Sequence, residues 1–190
     1  MLPKLIRVRR FGDDRGWFSE SYNANRFAEA GVSDSFVQDN HSFSARRGTL
    51  RGLHFQAPPH VQAKLVRCAA GAIWDVAVDL RAASPTYGRW VGAKLTAEGG
   101  EQLYIPIGFA HGFLTLTDDA QVLYKASDFY APASEGSIRW DDPDIAIDWP
   151  LARITPTLSE RDNAAGSLAA LTARFAYEGA PLGALEEVTA

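Results

Sequence analysis

Short runs of apolar or alternating apolar and polar positions recur along the first 150 residues, with turn signals between them. The runs at 5–9, 17–22, 36–41, 49–56, 64–69, 73–80, 89–96, 102–105, 112–116 and 121–126 read as short strands. Gly71, the Gly99-Gly100 pair and the Asp118-Asp119 pair fall where hairpins should turn. The clearest run is 73–80, where Trp74, Val76, Val78 and Leu80 share one face and Asp75, Ala77 and Asp79 the other. Large apolar residues on one face, with small or acidic ones opposite, suit a barrel strand with a partly polar interior. So many short strands predict an all-β sandwich or barrel rather than a parallel α/β sheet.

Helix signals are few. Asn23 can cap a short helix reaching Ala28, and Asn163 a C-terminal one running to about Ala176. No repeat or linker divides the chain, so residues 1–176 are expected to form one domain. Residues 177–190, with Gly and Pro at their start and little pattern, are expected to be a loosely held tail.

Composition narrows the class. The chain has 190 residues, 46% of them hydrophobic, which is enough to build a core without a disulfide or metal. Nineteen basic against 23 acidic residues leave a net charge of −4, so neither nucleic acid nor an anionic membrane is an expected partner. Cys68 stands alone and can form no internal disulfide. Lys4, Arg7, Arg9 and Arg10 occupy the place of a leader's apolar run, and the uncharged stretch 102–117 is too short and broken to span a bilayer. A reducing cytoplasm is the expected compartment.

Chemistry centres on histidine. His54 and His111 sit inside apolar, glycine-framed runs, whereas His41 and His60 do not. Such a histidine is either a hydrogen-bonded core residue or part of a site. The sequence has no His-X-His pair, and Pro58-Pro59 separates His54 from His60, so a metal centre is not expected. Neither a phosphate loop nor a nucleophile elbow is present. Acid–base chemistry remains. A neutral imidazole is a base near pH 7 when a carboxylate fixes its tautomer, and Asp75, Asp79 and Asp162 are all available for that task. Tyr124 and Tyr130 are possible proton donors, and Lys64 could stabilise an oxyanion. Each has a plainer reading as core filler, cap neighbour or solvated charge.

Seven segments taken in order carry a resemblance: FGDDRG at 11–16, FVQDNH at 36–41, LRGLHFQ at 50–56, KLVR at 64–67, DVAVDLR at 75–81, IPIGFAHGF at 105–113 and SEGSI at 134–138. In this order they resemble the dTDP-4-dehydrorhamnose 3,5-epimerase family over about residues 10–162. The resemblance implies a cupin-type jelly roll that works without metal or other cofactor, as a homodimer with exchanged N-terminal strands. It implies a dTDP-sugar substrate, dTDP-4-dehydro-6-deoxy-D-glucose, epimerised at C3 and C5 on the way to dTDP-L-rhamnose.

The family's base corresponds to His54, its orienting carboxylate to Asp162 and its proton donor to Tyr124, and Lys64 is implied as a substrate contact, its charge suited to an oxyanion. Tyr130 is expected to stack on thymine. Substrate contacts are implied for Arg15, Glu20, Gln38, Asn40, Arg51, His111 and Glu135. Arg161 stands where a lysine is common in the family. Strict alternation would put Arg51 and His54 on opposite faces, so the resemblance further requires a bulge at Gly52. The competing readings are a C3- or C5-only epimerase, a 3,4-ketoisomerase, and a barrel that binds sugar nucleotides without turnover.

Overall fold

A computed structural model describes residues 1–190. The alternating runs become strands: β1 (Lys4–Arg7), β2 (Phe11–Asp13), β3 (Gly16–Phe18), β4 (Gln38–Ser44), β5 (Leu50–Gln56), β6 (Lys64–Ala70), β7 (Ala72–Asp79), β8 (Trp90–Thr96), β9 (Glu101–Ile105), β10 (Phe109–Thr115), β11 (Ala120–Ala126), β12 (Glu135–Ser137) and β13 (Glu186–Thr189). Each of the ten expected runs meets a strand, the run at 17–22 only at its first two residues. The strands β2, β12 and β13 were not expected; each has only three or four residues, too few for a period to show.

One sheet has the order β13-β1-β9-β6-β11-β4 and the other β12-β5-β10-β7-β8. From β4 to β12 the chain crosses repeatedly between these two sheets, whose ladders are antiparallel except for β13 on β1, and this is a cupin-type jelly roll. The hairpin β2–β3 stands apart from both.

Strand β7 shows how the pattern becomes a core. Val76, Val78 and Leu80 turn outward and pack under Ile138, Ile145, Trp149, Leu168 and Phe175 of the C-terminal segment. Ile73 and Ala77 turn inward, against Val66, Leu103, Ile105 and Val122 of the other sheet. Burying each large side chain contributes about 1.5–3 kcal/mol before the entropy of ordering it. A third cluster, of Ile6, Phe27, Val32, Leu65 and Tyr104, seats the first helix on the six-stranded sheet.

That helix, α1 (Ala24–Glu29), starts as expected, with Asn23 Oδ1 accepting from the N–H groups of Asn25 and Arg26. The C-terminal helix does not form as expected. The short α2 (Glu160–Asn163) is capped by Ser159, whose Oγ accepts from Asp162 N, and Asn163 is its last residue rather than a cap. Beyond it the chain makes one 3₁₀ turn at Leu168–Ala170 and otherwise lies extended, bridging Ile138 to Gly166 and Arg81 to Phe175. Extended chain covers the outer face of the sheet, and that burial overrides an alanine-rich helix propensity.

The expectation of a loose tail from 177 to 190 does not describe its end. There β13 pairs in parallel with β1, and Glu186 and Glu187 form ion pairs with Lys4 and Arg7. No helix is long and apolar enough to cross a membrane.

Candidate active site

Between the two sheets the apolar layer gives way to a cavity of about 390 Å³. The five-stranded sheet supplies Arg51 and His54 from β5 and His111 and Phe113 from β10. The six-stranded sheet supplies Ser42, Lys64 and Tyr124, and α2 adds Arg161 and Asp162.

Arg51 and His54 share this cavity because β5 is bulged. His111 pairs with His54 and Phe113 with Arg51, so three steps on β5 match two on β10. Gly52 is the residue that permits it. Its φ is +129°, and an added Cβ would lie 2.5 Å from Gly112 Cα and 2.8 Å from the His111 carbonyl oxygen. The bulge expected at Gly52 is present, and Gly52 and Gly112 are the glycines that let the two backbones approach closely there.

Two histidine–aspartate pairs result. His54 Nε2 donates to Asp162 Oδ1 at 2.5 Å, leaving the lone pair of the neutral ring on Nδ1. Burial works to raise the Asp162 carboxyl, but the bonds from His54 and Ser159 and the charge of Arg161 outweigh it and hold it below the usual range. The second pair joins His111 Nε2 to Asp75 Oδ1 at 2.7 Å. Here burial dominates: it pushes the His111 pKa down and the Asp75 pKa up, each opposed by the charge of the other.

Lys64 is buried on the facing sheet, its Nζ 5.9 Å from the centre of the Tyr124 ring. Burial lowers its pKa to about 8, against the opposing pull of Asp75 and Glu135. Burial and Glu135 raise the Tyr124 pKa above the ordinary phenol value, so its hydroxyl is protonated at neutral pH. The cavity thus holds a carboxylate-oriented imidazole on one sheet, and a phenol and an ammonium on the other. Such a set can remove a proton beside a carbonyl, hold the resulting enolate and return a proton from the opposite wall.

The remaining expected residues divide into two groups. Gln38, Tyr130, Glu135 and Arg161 form one linked rim. Arg161 pairs with Glu135 at 2.5 Å, the Tyr130 hydroxyl donates to Glu135 at 2.8 Å, and Tyr130 N donates to Gln38 Oε1 at 2.9 Å. Asn40 accepts from Gln38 and stands opposite Tyr124 in the β4–β11 ladder. Arg15 and Glu20 are not brought to this cavity. Arg15 lies on the exposed β2–β3 hairpin paired with Asp13, and Glu20 pairs with Arg26.

Ser42 went unnoticed in the sequence. Its hydroxyl is buried in the cavity wall without a hydrogen-bond partner. Alternation from Gln38 and Asn40 places it on the same face, so the signal was present. No group of three or more His, Cys, Asp or Glu side chains is close enough to hold a metal ion.

Known proteins resemble the chain in sequence and in fold. The family model for dTDP-4-dehydrorhamnose 3,5-epimerase matches residues 3–170. The chain is 57% identical over 159 residues to the enzyme of that name from Pseudomonas aeruginosa, covering 83% of this chain and 86% of that protein. The crystal structure of dTDP-6-deoxy-D-glucose-3,5-epimerase from Legionella pneumophila, in complex with dTDP-4-keto-L-rhamnose, superposes with a TM-score of 0.86. It is 44% identical, covering 93% of this chain and 100% of that one. A 3'-monoepimerase from Streptomyces bikiniensis, in complex with dTDP-quinovose, gives a TM-score of 0.81 at 40% identity, covering 88% and 84%.

Proposed function

The chain belongs to the dTDP-4-dehydrorhamnose 3,5-epimerase family, and on that premise we propose how its own residues carry out the reaction. The protein epimerises dTDP-4-dehydro-6-deoxy-D-glucose at C3 and C5. Both carbons neighbour the C4 ketone, so loss of either hydrogen gives an enolate on the same oxygen. One base, one acid and one oxyanion site therefore serve both inversions.

Neutral His54, with its Nε2 proton held by Asp162, takes the C–H proton on Nδ1. The C–H electron pair moves to the ring C–C bond, and the carbonyl pair moves to oxygen. Lys64 stabilises the oxygen as charge develops there. Tyr124 then delivers its proton to the same carbon from the other face, and solvent restores the phenol and the imidazole. Arg51, with a planar guanidinium at the cavity, suits the diphosphate. The rim of Gln38, Tyr130, Glu135 and Arg161, with Asn40 and His111, takes the nucleotide and the sugar hydroxyls. The observation that carries the reading is that His54, bonded to Asp162, and Tyr124 lie on opposite sheets of one cavity.

We further propose that Arg15 and Glu20 act in a second copy's site, within a homodimer that exchanges N-terminal strands. Phe11, Trp17 and Phe18 are 48%, 59% and 71% exposed on a hairpin that joins neither sheet, which supports a partner covering them. Replacing all three by serine should turn a dimer into a monomer in sedimentation; a dimer that persists rejects the exchange.

Turnover is tested by incubating the protein with dTDP-4-dehydro-6-deoxy-D-glucose in deuterated water and locating the label. Label at both C3 and C5 is expected. Label at one carbon alone would make this chain a monoepimerase, and none would leave a binding barrel.

A further inference from the structure

The pair formed by His111 and Asp75 leaves one atom unexplained. Asp75 is fully buried, and His111 occupies only Oδ1; Oδ2 has no hydrogen-bond partner. A buried carboxylate with a bare oxygen is costly, and a pair serving only to pack the core would satisfy both oxygens. A buried cation lies on the facing sheet. Lys64 is at the start of β6, inside the same barrel, and makes no direct ion pair.

Lys64 and His111 line the same cavity, and Asp75 bonds His111 from behind, so Asp75 and Glu135 are the two carboxylates whose charge bears on Lys64. Glu135 is already engaged by Arg161 and the Tyr130 hydroxyl, which leaves Asp75 as the one with an uncommitted oxygen. We infer that Asp75 is a positioning residue for Lys64, whose buried carboxylate keeps the lysine ammonium charged at the site where the enolate oxygen develops.

The groups facing Lys64 settle the sign. Asp75 on β7 and Glu135 on β12 favour the ammonium. Arg161 on α2 disfavours it, as does His111 on β10 whenever that ring is protonated. Tyr124 on β11 presents its ring and is uncharged at neutral pH. Burial drives a lysine toward the neutral amine, and an amine carries no charge with which to meet an oxyanion. With the Lys64 pKa at about 8, the margin at neutral pH is small. Removing the Asp75 charge lowers that pKa further, so the lysine is lost to catalysis at a lower pH. Asp75 itself touches no reacting atom in this account.

This inference rests on the role proposed above for Lys64, and the test separates the two. Lys64 Nζ and Asp75 Cγ are followed by NMR against pH in the full-length wild type, alongside the pH profile of kcat. The two nuclei should report one shared midpoint, and kcat should fall through it on the alkaline side. In Asp75→Asn the Lys64 midpoint and the alkaline limb of kcat should both move down by a pH unit or more, with KM little changed; Asp75→Glu should restore them.

An Asp75 signal that ignores the Lys64 titration in the wild type overturns the inference without any variant. So does an Asp75→Asn enzyme that loses activity equally at every pH while Lys64 titrates as before. If the two nuclei move together but kcat does not follow Lys64, the coupling stands and the catalytic role of the lysine falls.

Discussion

His54–Asp162 and His111–Asp75 are the same chemical pair built twice, with their histidines on adjacent strands of one sheet, and they differ in what surrounds them. The His54 side chain is 29% exposed and Asp162 comes from a short helix across the cavity mouth; the His111 side chain is 7% exposed and its aspartate 0%. Bonds from His54 and Ser159 keep Asp162 an ordinary, even strengthened, carboxylate, whereas burial dominates Asp75 and His111. An imidazole that must gain and lose a proton at every turnover needs a partner able to stabilise its charged form and a route to solvent. The first pair has both. In the second, burial outweighs the charge that Asp75 offers His111 and the ring has little access to solvent, so it suits a fixed hydrogen-bond and charge framework rather than a shuttle.

The largest effect separating the pairs should come from alanine at each histidine. His54→Ala should lower kcat by about 10²–10⁴-fold and abolish label exchange at C3 and C5 alike. His111→Ala should cost less, roughly 5–150-fold for about 1–3 kcal/mol of lost buried hydrogen bonding, and exchange at both carbons should survive. Equal losses, or exchange lost only in His111→Ala, would reverse the assignment.

Next in size is Tyr124→Phe. Without the hydroxyl, His54 can still remove a proton and return one to the same face, so label exchange should continue while inversion drops by about 10²–10⁴-fold. An unchanged ratio of exchange to inversion would make Tyr124 a contact rather than the acid.

Gly52→Ala tests the geometry that joins the pairs. Its Cβ would meet Gly112 Cα and the His111 carbonyl, pushing β5 from β10 between the two histidines. Overpacking of this kind costs about 1–3 kcal/mol. At roughly 2–4 °C per kcal/mol for a chain of this size, the midpoint of thermal unfolding should fall measurably. An unaltered midpoint with full activity would mean that the bulge is dispensable.

The smallest expected effect is none. If His54 and His111 each keep to their own aspartate, chelators should leave kcat unchanged. Loss of a stoichiometric metal together with activity would instead make the two histidines joint ligands.

Much of this was readable along the chain. Period-two alternation located ten strands, and β7 kept its sides, because a strand half-covered by an apolar layer cannot slip by one residue without exposing its core face. The candidate site was also legible: His54, His111, Lys64, Tyr124, Arg51, Asp162 and Arg161 all reach one cavity. Ser42 was within reach of the same alternation. Residues 163–176 were misread because local propensity favours helix there, while an uncovered sheet face rewards extended chain. The pairing of β13 with β1 could not be seen, since its partner lies at the other end of the sequence.

What the sequence determined by itself was the class of fold, the faces of its strands and the residue types that carry the chemistry. These depend on neighbours along the chain, whose spacing any strand imposes. What the tertiary structure decided was which aspartate serves which histidine. By spacing alone Asp75, Asp79 and Asp162 were equal candidates, and only the family resemblance singled out Asp162. In the fold, Asp79 is taken by Arg81, Ser84 and Thr86, Asp75 lies inside the barrel beside His111, and Asp162 is carried by a helix turn to His54 from 108 residues away. A hydrogen bond forms over about 3 Å whatever the separation in sequence, and only the packed sheets set that distance.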